Sequence, residues 1–345
     1  MADTFDAVEA GATGDLQTAI NALLFTTAET ALEAFDSASG EIYASVTADA
    51  VDTQTNRLDN LTARSHENVQ EGVGIWGEVN RLDSNVESDG NGARVDQDSF
   101  GLSVGADYRA PNNNWAIGGI VGYFEEDLED GRGSDTDQTG WHIGGYGRYG
   151  TSGSGLTASA AVGFSGSDID VVRNINIGAL SRRAVTETDV SAVALSGELR
   201  YGFSIAQGLS VGPLGSVRYA RSDLDGFSES GADSLNLLSD GGNDERTRLG
   251  IGGFANLQSD KGSIDVGAQY IDGRSNFAEV DLALSGAVDT AFAVRSAETD
   301  GSGGLLSVAG EYEIATGVSV NANLRGFFAD DQQTLSASVG VGWRF

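Results

Sequence analysis

From Thr334 to Phe345 the chain alternates without interruption. Leu335, Ala337, Val339, Val341, Trp343 and Phe345 take one face, and Thr334, Ser336, Ser338, Gly340, Gly342 and Arg344 the other. A period of two with one apolar and one small or polar face predicts a β-strand. The same pattern precedes it, with Val318, Val320, Ala322, Leu324 and Phe328 opposite Ser319, Asn321, Asn323 and Arg325. It recurs from Phe100 to Arg109, Leu156 to Phe164, Val193 to Tyr201, Arg248 to Leu257, Ser263 to Tyr270 and Leu306 to Glu313, and less cleanly from Trp115 to Phe124. Adding strands near Val73, Trp141 and Val217 gives about twelve. The pattern predicts an all-β region of about twelve antiparallel strands.

The first seventy residues read differently. Leu16, Ile20, Leu23 and Thr27, then Ala31 and Phe35, follow a helical spacing, with Asp15 as a candidate N-cap. The stretch from Thr47 to Gln70 is rich in helix formers but carries few large apolar residues, mainly Val51, Leu58 and Leu61. A helix polar nearly all round does not dock on an ordinary core. It predicts an exposed helix or one threading a polar, watery lumen. The composition shifts between Gln70 and Gly74, which sets the expected organisation: a partly helical junction over 1–38, a linker and pore helix over 39–71, and the barrel over 72–345.

The connections alternate in length. Short turns fall at Pro111–Asn114, Thr151–Gly155, Gln207–Gly208, Asp260–Gly262 and Ala315–Gly317. Longer acidic loops are expected near 83–96, 125–137, 168–189, 223–245 and 273–303. Short turns at one rim and long loops at the other is the pattern of an outer-membrane barrel. Tyr108, Trp115, Tyr149, Tyr201, Phe203 and Phe345 lie near strand ends, where an interfacial girdle would sit. A soluble sandwich would need large apolar side chains inside. The polar face, built from Gly, Ser, Asn, Arg and Glu, suits a wet lumen instead.

Composition supports this picture. There are 49 glycines and 2 prolines in 345 residues, as an extensive sheet requires. No run reaches the roughly 18 apolar residues of a transmembrane helix. Cysteine is absent, so neither a disulfide framework nor a thiolate metal site is possible. The net charge of -31 disfavours nucleic acid as a partner. It is expected as a solvated acidic surface, with divalent-cation bridging to anionic lipid headgroups as a weaker reading. The first basic residue is Arg57, so no basic secretory leader opens the chain, which is expected to be a fragment of a longer envelope protein.

Three stretches resemble the β-domain of autotransporters, the translocators of type V secretion. Ser39-Gly40-Glu41-Ile42-Tyr43-Ala44-Ser45-Val46 is similar to that family's lead into its pore helix. Gly226-Phe227-Ser228-Glu229-Ser230-Gly231-Ala232 is similar to a mid-barrel signature, and Gly340-Val341-Gly342-Trp343-Arg344-Phe345 to the C-terminal assembly signal. The resemblance implies a twelve-stranded barrel with a helix in its pore, in the outer membrane of a Gram-negative bacterium. It also implies insertion by the barrel assembly machinery reading Val341, Trp343 and Phe345, and export of an N-terminal passenger to the cell surface. Some members cut themselves at an Asn-Asn pair in the pore. Here Asn56 and Asn60 are not adjacent, so self-cleavage is not carried over.

The candidate functional groups are the charges facing the lumen: Arg109, Arg148, Glu198, Arg200, Arg218, Arg248, Glu311, Glu313 and Arg325. They could pair with Asp52, Arg57 or Asp59 of the helix. Only His66 and His142 could serve a histidine-based active site, and Ser65 beside His66 is a poor partner because adjacent residues rarely form a catalytic pair. The acidic loops lack the ligand spacing of an EF-hand. No enzyme activity, cofactor or metal is expected. Outer-membrane lipids are an expected partner. A plugged small-solute porin and a surface adhesin acting through acidic loops remain alternatives.

Overall fold

The computed structural model describes residues 14–24, 27–67, 71–151, 154–274, 276–299 and 301–345. Twelve antiparallel strands form the wall: β1 Gly72–Val86, β2 Val95–Arg109, β3 Trp115–Asp130, β4 Ser134–Tyr149, β5 Gly155–Ile177, β6 Leu180–Ala206, β7 Leu209–Leu224, β8 Gly242–Ser259, β9 Gly262–Gly273, β10 Gly303–Ala315, β11 Val318–Phe328 and β12 Gln332–Arg344. Each pairs with its neighbours in sequence, and β12 returns to β1 from Gly74↔Arg344 to Val86↔Gln332, which closes the barrel. Closure leaves no free sheet edge in the wall.

Which face is inside follows from exposure. Leu102 is 54% exposed, Val104 56% and Ile251 71%, while Arg109 is 0% and Asp107 4%. Large apolar residues point outward and charged ones inward, the reverse of a soluble barrel. The outward apolar run spans Phe100–Tyr108, Trp115–Tyr123, Trp141–Tyr149, Leu156–Phe164, Val193–Tyr201 and Leu335–Trp343, and continues to Ile205 on β6 and to Phe345 at the chain end. Each covers at least nine residues, about what a tilted transmembrane strand needs. Aromatic pairs mark the turn-side rim, with Tyr108 against Trp115 at 5.1 Å and Tyr201 against Phe203 at 4.9 Å. Among the described residues no helix is long and apolar enough to cross a membrane.

Above that belt the outward face turns acidic. Asp83, Asp98, Asp127, Asp137, Asp170 and Glu187 stand directly opposite one another across β1 to β6. Burial, and then a hydrogen bond shared with Asp137, raise the Asp127 carboxyl above its ordinary range. Two expected loops are in fact strand. The segment 125–137 is a continuation of β3 and β4 around a tight turn, and 168–189 lies within β5 and β6, which meet at Gly178–Ala179. Their alternation places Ile169, Val171, Ile175 and Ile177 on the inner side, all 2% exposed or less, so burial draws these residues into sheet despite their acidic neighbours. True excursions lie between β7 and β8 and between β9 and β10. They carry short ladders at Phe227–Ser228, Leu237–Ser239, Glu279–Leu284 and Ala291–Arg295. The stretch Gly226–Ala232 sits in the first of these loops, within the expected 223–245 connection.

Among the described residues three helices precede the wall: α1 Gly14–Leu23, α2 Ala28–Ser39 and α3 Glu41–His66. The single helical spacing read from Leu16 to Phe35 is two helices. Thr27 is a cap, its hydroxyl accepting from the Thr30 amide at 3.3 Å. Asp15 lies inside α1 and binds Arg182 instead of capping. α3 begins six residues before the expected Thr47; the expected end at Gln70 lies outside the described residues. Gly40 separates α2 from α3 with φ 76°, and a side chain there would run into Leu237 Cδ1. Both the left-handed backbone and the close approach require glycine.

The α1 and α2 helices, the start of α3, the tall β5–β6 hairpin and the two long loops share one dry core. It includes Leu16, Ile20, Ile42, Tyr43, Val46, Leu128, Ile175, Leu235, Leu237 and Leu282. A water-excluding cap thus closes the loop-side mouth.

Candidate functional site

α3 fills the lumen, and its two sides meet different walls. Val51, Leu58 and Leu61 pack on Trp76, Ile120, Tyr146, Ala161, Ala194 and Ala220. The lumen is not polar throughout, and these three residues use its apolar stripe. Two wall glycines make room for them. A Cβ on Gly144 would lie 2.7 Å from Leu61 Cδ1, and one on Gly163 would lie 2.7 Å from Gln54 Nε2.

The opposite side of α3 carries the charges. Arg246 Nη1 lies 3.0 Å and Arg248 Nη2 2.7 Å from the Asp52 carboxylate, and Gln332 donates to it at 3.0 Å. Two turns further along, Asp59 accepts from Arg218 Nε at 2.8 Å and pairs with Arg325 Nη1 at 3.2 Å. Arg325 also donates to the Asp59 carbonyl at 3.0 Å. Arg57 points elsewhere. Its guanidinium lies 3.6 Å from the centroid of the Phe124 ring and 4.0 Å from Glu126.

The turn-side end of α3 is held by a second network. Arg109 donates to the carbonyls of Glu67 and, at 3.0 Å, Arg64, satisfying acceptors that the helix end leaves open. Arg64 pairs with Glu67 at 3.1 Å and lies over the Trp76 ring at 4.3 Å. Asp107 receives Arg344 at 2.7 Å and Arg109 at 3.6 Å. Glu198 bonds His66 at 2.9 Å and Arg200 at 2.5 Å, and Arg200 reaches Asp265 at 2.8 Å.

Of the candidate lumen residues, Arg218, Arg248 and Arg325 pair with α3 carboxylates, Arg109 binds α3 carbonyls, and Glu198 holds His66 and so carries Arg200. Arg148 turns to Asn113 in the β2–β3 connection and does not meet α3. Glu311 is buried at the turn-side mouth beside a cavity of about 60 Å³ and forms no ion pair among the described residues. Glu313 is half-buried there and accepts from the Gly317 amide at 3.1 Å. Val341, Trp343 and Phe345 face outward on the terminal strand, 40%, 52% and 80% exposed. Sequence reasoning missed Arg246, although it shares Arg248's face two residues earlier. It also missed Glu126 and Asp107, which alternation places inward from Glu125 and Tyr108.

His66 Nε2 faces both Glu198 Oε1, at 2.9 Å, and Ser159 Oγ, at 3.3 Å. A nucleophile relay needs the hydroxyl and the acid on opposite ring nitrogens. This arrangement fixes the end of the helix and does not prepare a nucleophile.

At the loop-side mouth, Glu41 accepts from the Ala93 amide at 3.1 Å and pairs with Arg132, which also lies 3.5 Å from Asp36. Burial pushes the Glu41 carboxyl up from 4.5 to about 7, against the pull of Arg132. A folded-state value above the unfolded one means that the docked form binds the proton more tightly. Stability from this group is therefore fullest below pH 4.5 and falls as pH rises to about 7. Amide exchange in α2 should speed up between pH 5 and 8 beyond the intrinsic rate, and Glu41→Gln should remove that excess. An unchanged excess in Glu41→Gln would assign the effect to another group.

Residues 75–325 match the family described as Autotransporter beta-domain. Among curated relatives, an extracellular serine protease of Serratia marcescens is 23% identical over 338 residues, 93% of this chain and 32% of that protein. Esterase EstA of Pseudomonas aeruginosa is 29% identical over 190 residues, 52% of this chain and 28% of that protein. The chain thus spans about a third of the length of these relatives. Among solved structures, the translocator domain of NalP from Neisseria meningitidis superposes with a TM-score of 0.72 at 15% identity, covering 89% of this chain and all of that one.

Proposed function

Because this chain belongs to the autotransporter β-domain family, we propose that it anchors in the outer membrane of a Gram-negative bacterium and carries an N-terminal passenger through its lumen to the cell surface. The observation that carries this reading is α3 itself, a helix threaded from the loop-side cap to the turn-side mouth of a closed barrel. Backbone inside a water-lined lumen meets no hydrocarbon, so a chain can pass there without leaving its polar groups unsatisfied. Residues 1–38 are then the passenger's last stretch or its junction, 39–71 the linker and pore helix, and 72–345 the anchor.

The chain has no chemistry of its own in this reading. Asp52 and Asp59, held by arginines, retain the helix once export ends. The outward Val341, Trp343 and Phe345 offer the barrel assembly machinery an apolar row at the chain end, and the nine-residue belt supplies contact with outer-membrane lipid.

Export is tested by placing a signal peptide and an epitope tag before Ala2, expressing the fusion in a Gram-negative cell and adding protease outside intact cells. The tag should be lost while the barrel stays protected. A tag that remains protected on an inserted barrel would overturn the translocator reading in favour of a plugged porin.

A further inference from the structure

We propose that Arg218, Arg246, Arg248 and Arg325 form a carboxylate-binding track that recognises the exported polypeptide by its acidic residues as it passes, and that Asp52 and Asp59 occupy the track where passage stops. The proposal rests on the translocator reading and adds the chemistry of the chain that the lumen accepts.

The four arginines are an excess of fixed positive charge on one wall. Arg218 and Arg248 stand directly opposite each other on β7 and β8, an arrangement that is unfavourable for like charges. Among the described residues the one wall carboxylate bound to any of the four is Asp244, 2.8 Å from Arg246 Nε. Toward the turn-side mouth several wall charges pair with one another, with Arg109 beside Asp107 and Arg200 between Glu198 and Asp265. Without α3 the only carboxylate bonded to the track among the described residues is Asp244, so most of its positive charge is left for carboxylates from whatever occupies the lumen.

The two places on the track match a sequence interval. Asp52 and Asp59 are seven residues apart, two helical turns, or about 10 Å along the axis with little rotation. A cavity of about 40 Å³, lined by both aspartates and by Thr55, Arg218, Arg248 and Arg325, runs between them. With the helix two turns nearer the turn-side mouth, Asp52 occupies the position of Asp59. The track thus serves successive carboxylates, and the chain comes to rest when both places are filled.

The chain that would pass has the complementary composition. Residues 1–56 contain ten acidic residues and no lysine or arginine. Glu29 and Glu33 illustrate the point. Both are exposed on α2 and form no ion pair among the described residues, so the final structure gives their charge no role. Passage along an arginine track does. The partner class is an acidic, base-poor polypeptide.

The test measures how fast a pulse-labelled tag before Ala2 becomes accessible to external protease, in the full chain with a signal peptide. Glu29→Arg with Glu33→Arg should slow its appearance about ten-fold in the native barrel. The same pair should cost less than about three-fold in an Arg325→Gln barrel, where the track is weaker, and the full ten-fold in Arg325→Lys, which keeps the charge. Should Arg325→Gln fail to insert, Arg248→Gln takes its place. Equal slowing in native and Arg→Gln barrels would place the delay elsewhere on the route and overturn the track. Export of the reversed chain at the native rate would also overturn it, while leaving the translocator reading intact because the tag is delivered. No tag at the surface in any variant, on inserted barrels, would remove the translocator reading and the track with it.

Discussion

Replacing Glu229 with alanine should release the cap from the loop-side mouth while leaving the membrane wall folded. Glu229 Oε1 accepts from Arg173 Nε at 3.0 Å and from the Tyr43 hydroxyl at 2.8 Å, and Oε2 accepts from Arg173 Nη2 at 2.6 Å and from the Leu237 amide at 2.7 Å. Arg173 continues to the carbonyls of Ala38 at 2.9 Å and Leu235 at 3.1 Å. One carboxylate therefore joins the end of α2, the first turn of α3, β5 and the β7–β8 loop. The Tyr43 ring adds a stack on Phe227 at 3.9 Å. Arg173 and Glu229 are both almost wholly buried, so Glu229→Ala strands a guanidinium in a dry core, at a cost of about 3–5 kcal/mol. Hydrogen exchange in α2 should accelerate by two to three orders of magnitude, since about 1.4 kcal/mol corresponds to a factor of ten. The apolar belt should keep its protection. Glu229→Gln, which retains acceptor capacity without the charge, should fall between. Unchanged α2 exchange in Glu229→Ala would show that the apolar core alone holds the cap.

Asp59→Ala should make a closed pore leak. It removes the carboxylate shared by Arg218 and Arg325 and leaves two neighbouring cations without it. The lumen admits some water, so the cost should fall at the lower end of about 3–5 kcal/mol. That raises the population of displaced helix about a hundred-fold. In planar bilayers the wild-type protein should stay closed for long periods, and Asp59→Ala should open often to one defined conductance. Arg325→Gln should open far less, because Arg218 still holds Asp59. A silent Asp59→Ala channel would mean that Val51, Leu58 and Leu61 retain the helix without the ion pairs.

How much of this was readable in the chain differs from feature to feature. The strand row Leu335 to Phe345 could be placed from its alternation, because a period of two is a property of the local backbone. The polar helix around Asp52, Arg57 and Asp59 was readable for the same reason, from its shortage of large apolar residues. The tall β5–β6 hairpin was not. Asp168, Asp170, Glu187 and Asp189 look like loop residues, and only the partners of Ile169, Val171 and Ile175 in the cap explain why the segment is strand. Arg57 shows the same limit. Its charge suggested an acidic partner, and Glu126 lies 4.0 Å away, but the Phe124 ring beneath its guanidinium was set by the rotation of α3 about its own axis.

The sequence by itself determined the strand count, the two-faced character of each strand, the helix in front of them and the sign of the charges available to the lumen. These follow from dihedral periodicity and composition, which act over a few residues. Tertiary structure alone decided which guanidinium meets which carboxylate. It also brought Tyr43 and Glu229, which lie in two separate family-like stretches, into one hydrogen bond across 186 residues. Such pairings depend on barrel register, on the rotation of α3 and on where the chain crosses the mouth. Each of these is fixed by the sum of many distant contacts, and no local pattern encodes that sum.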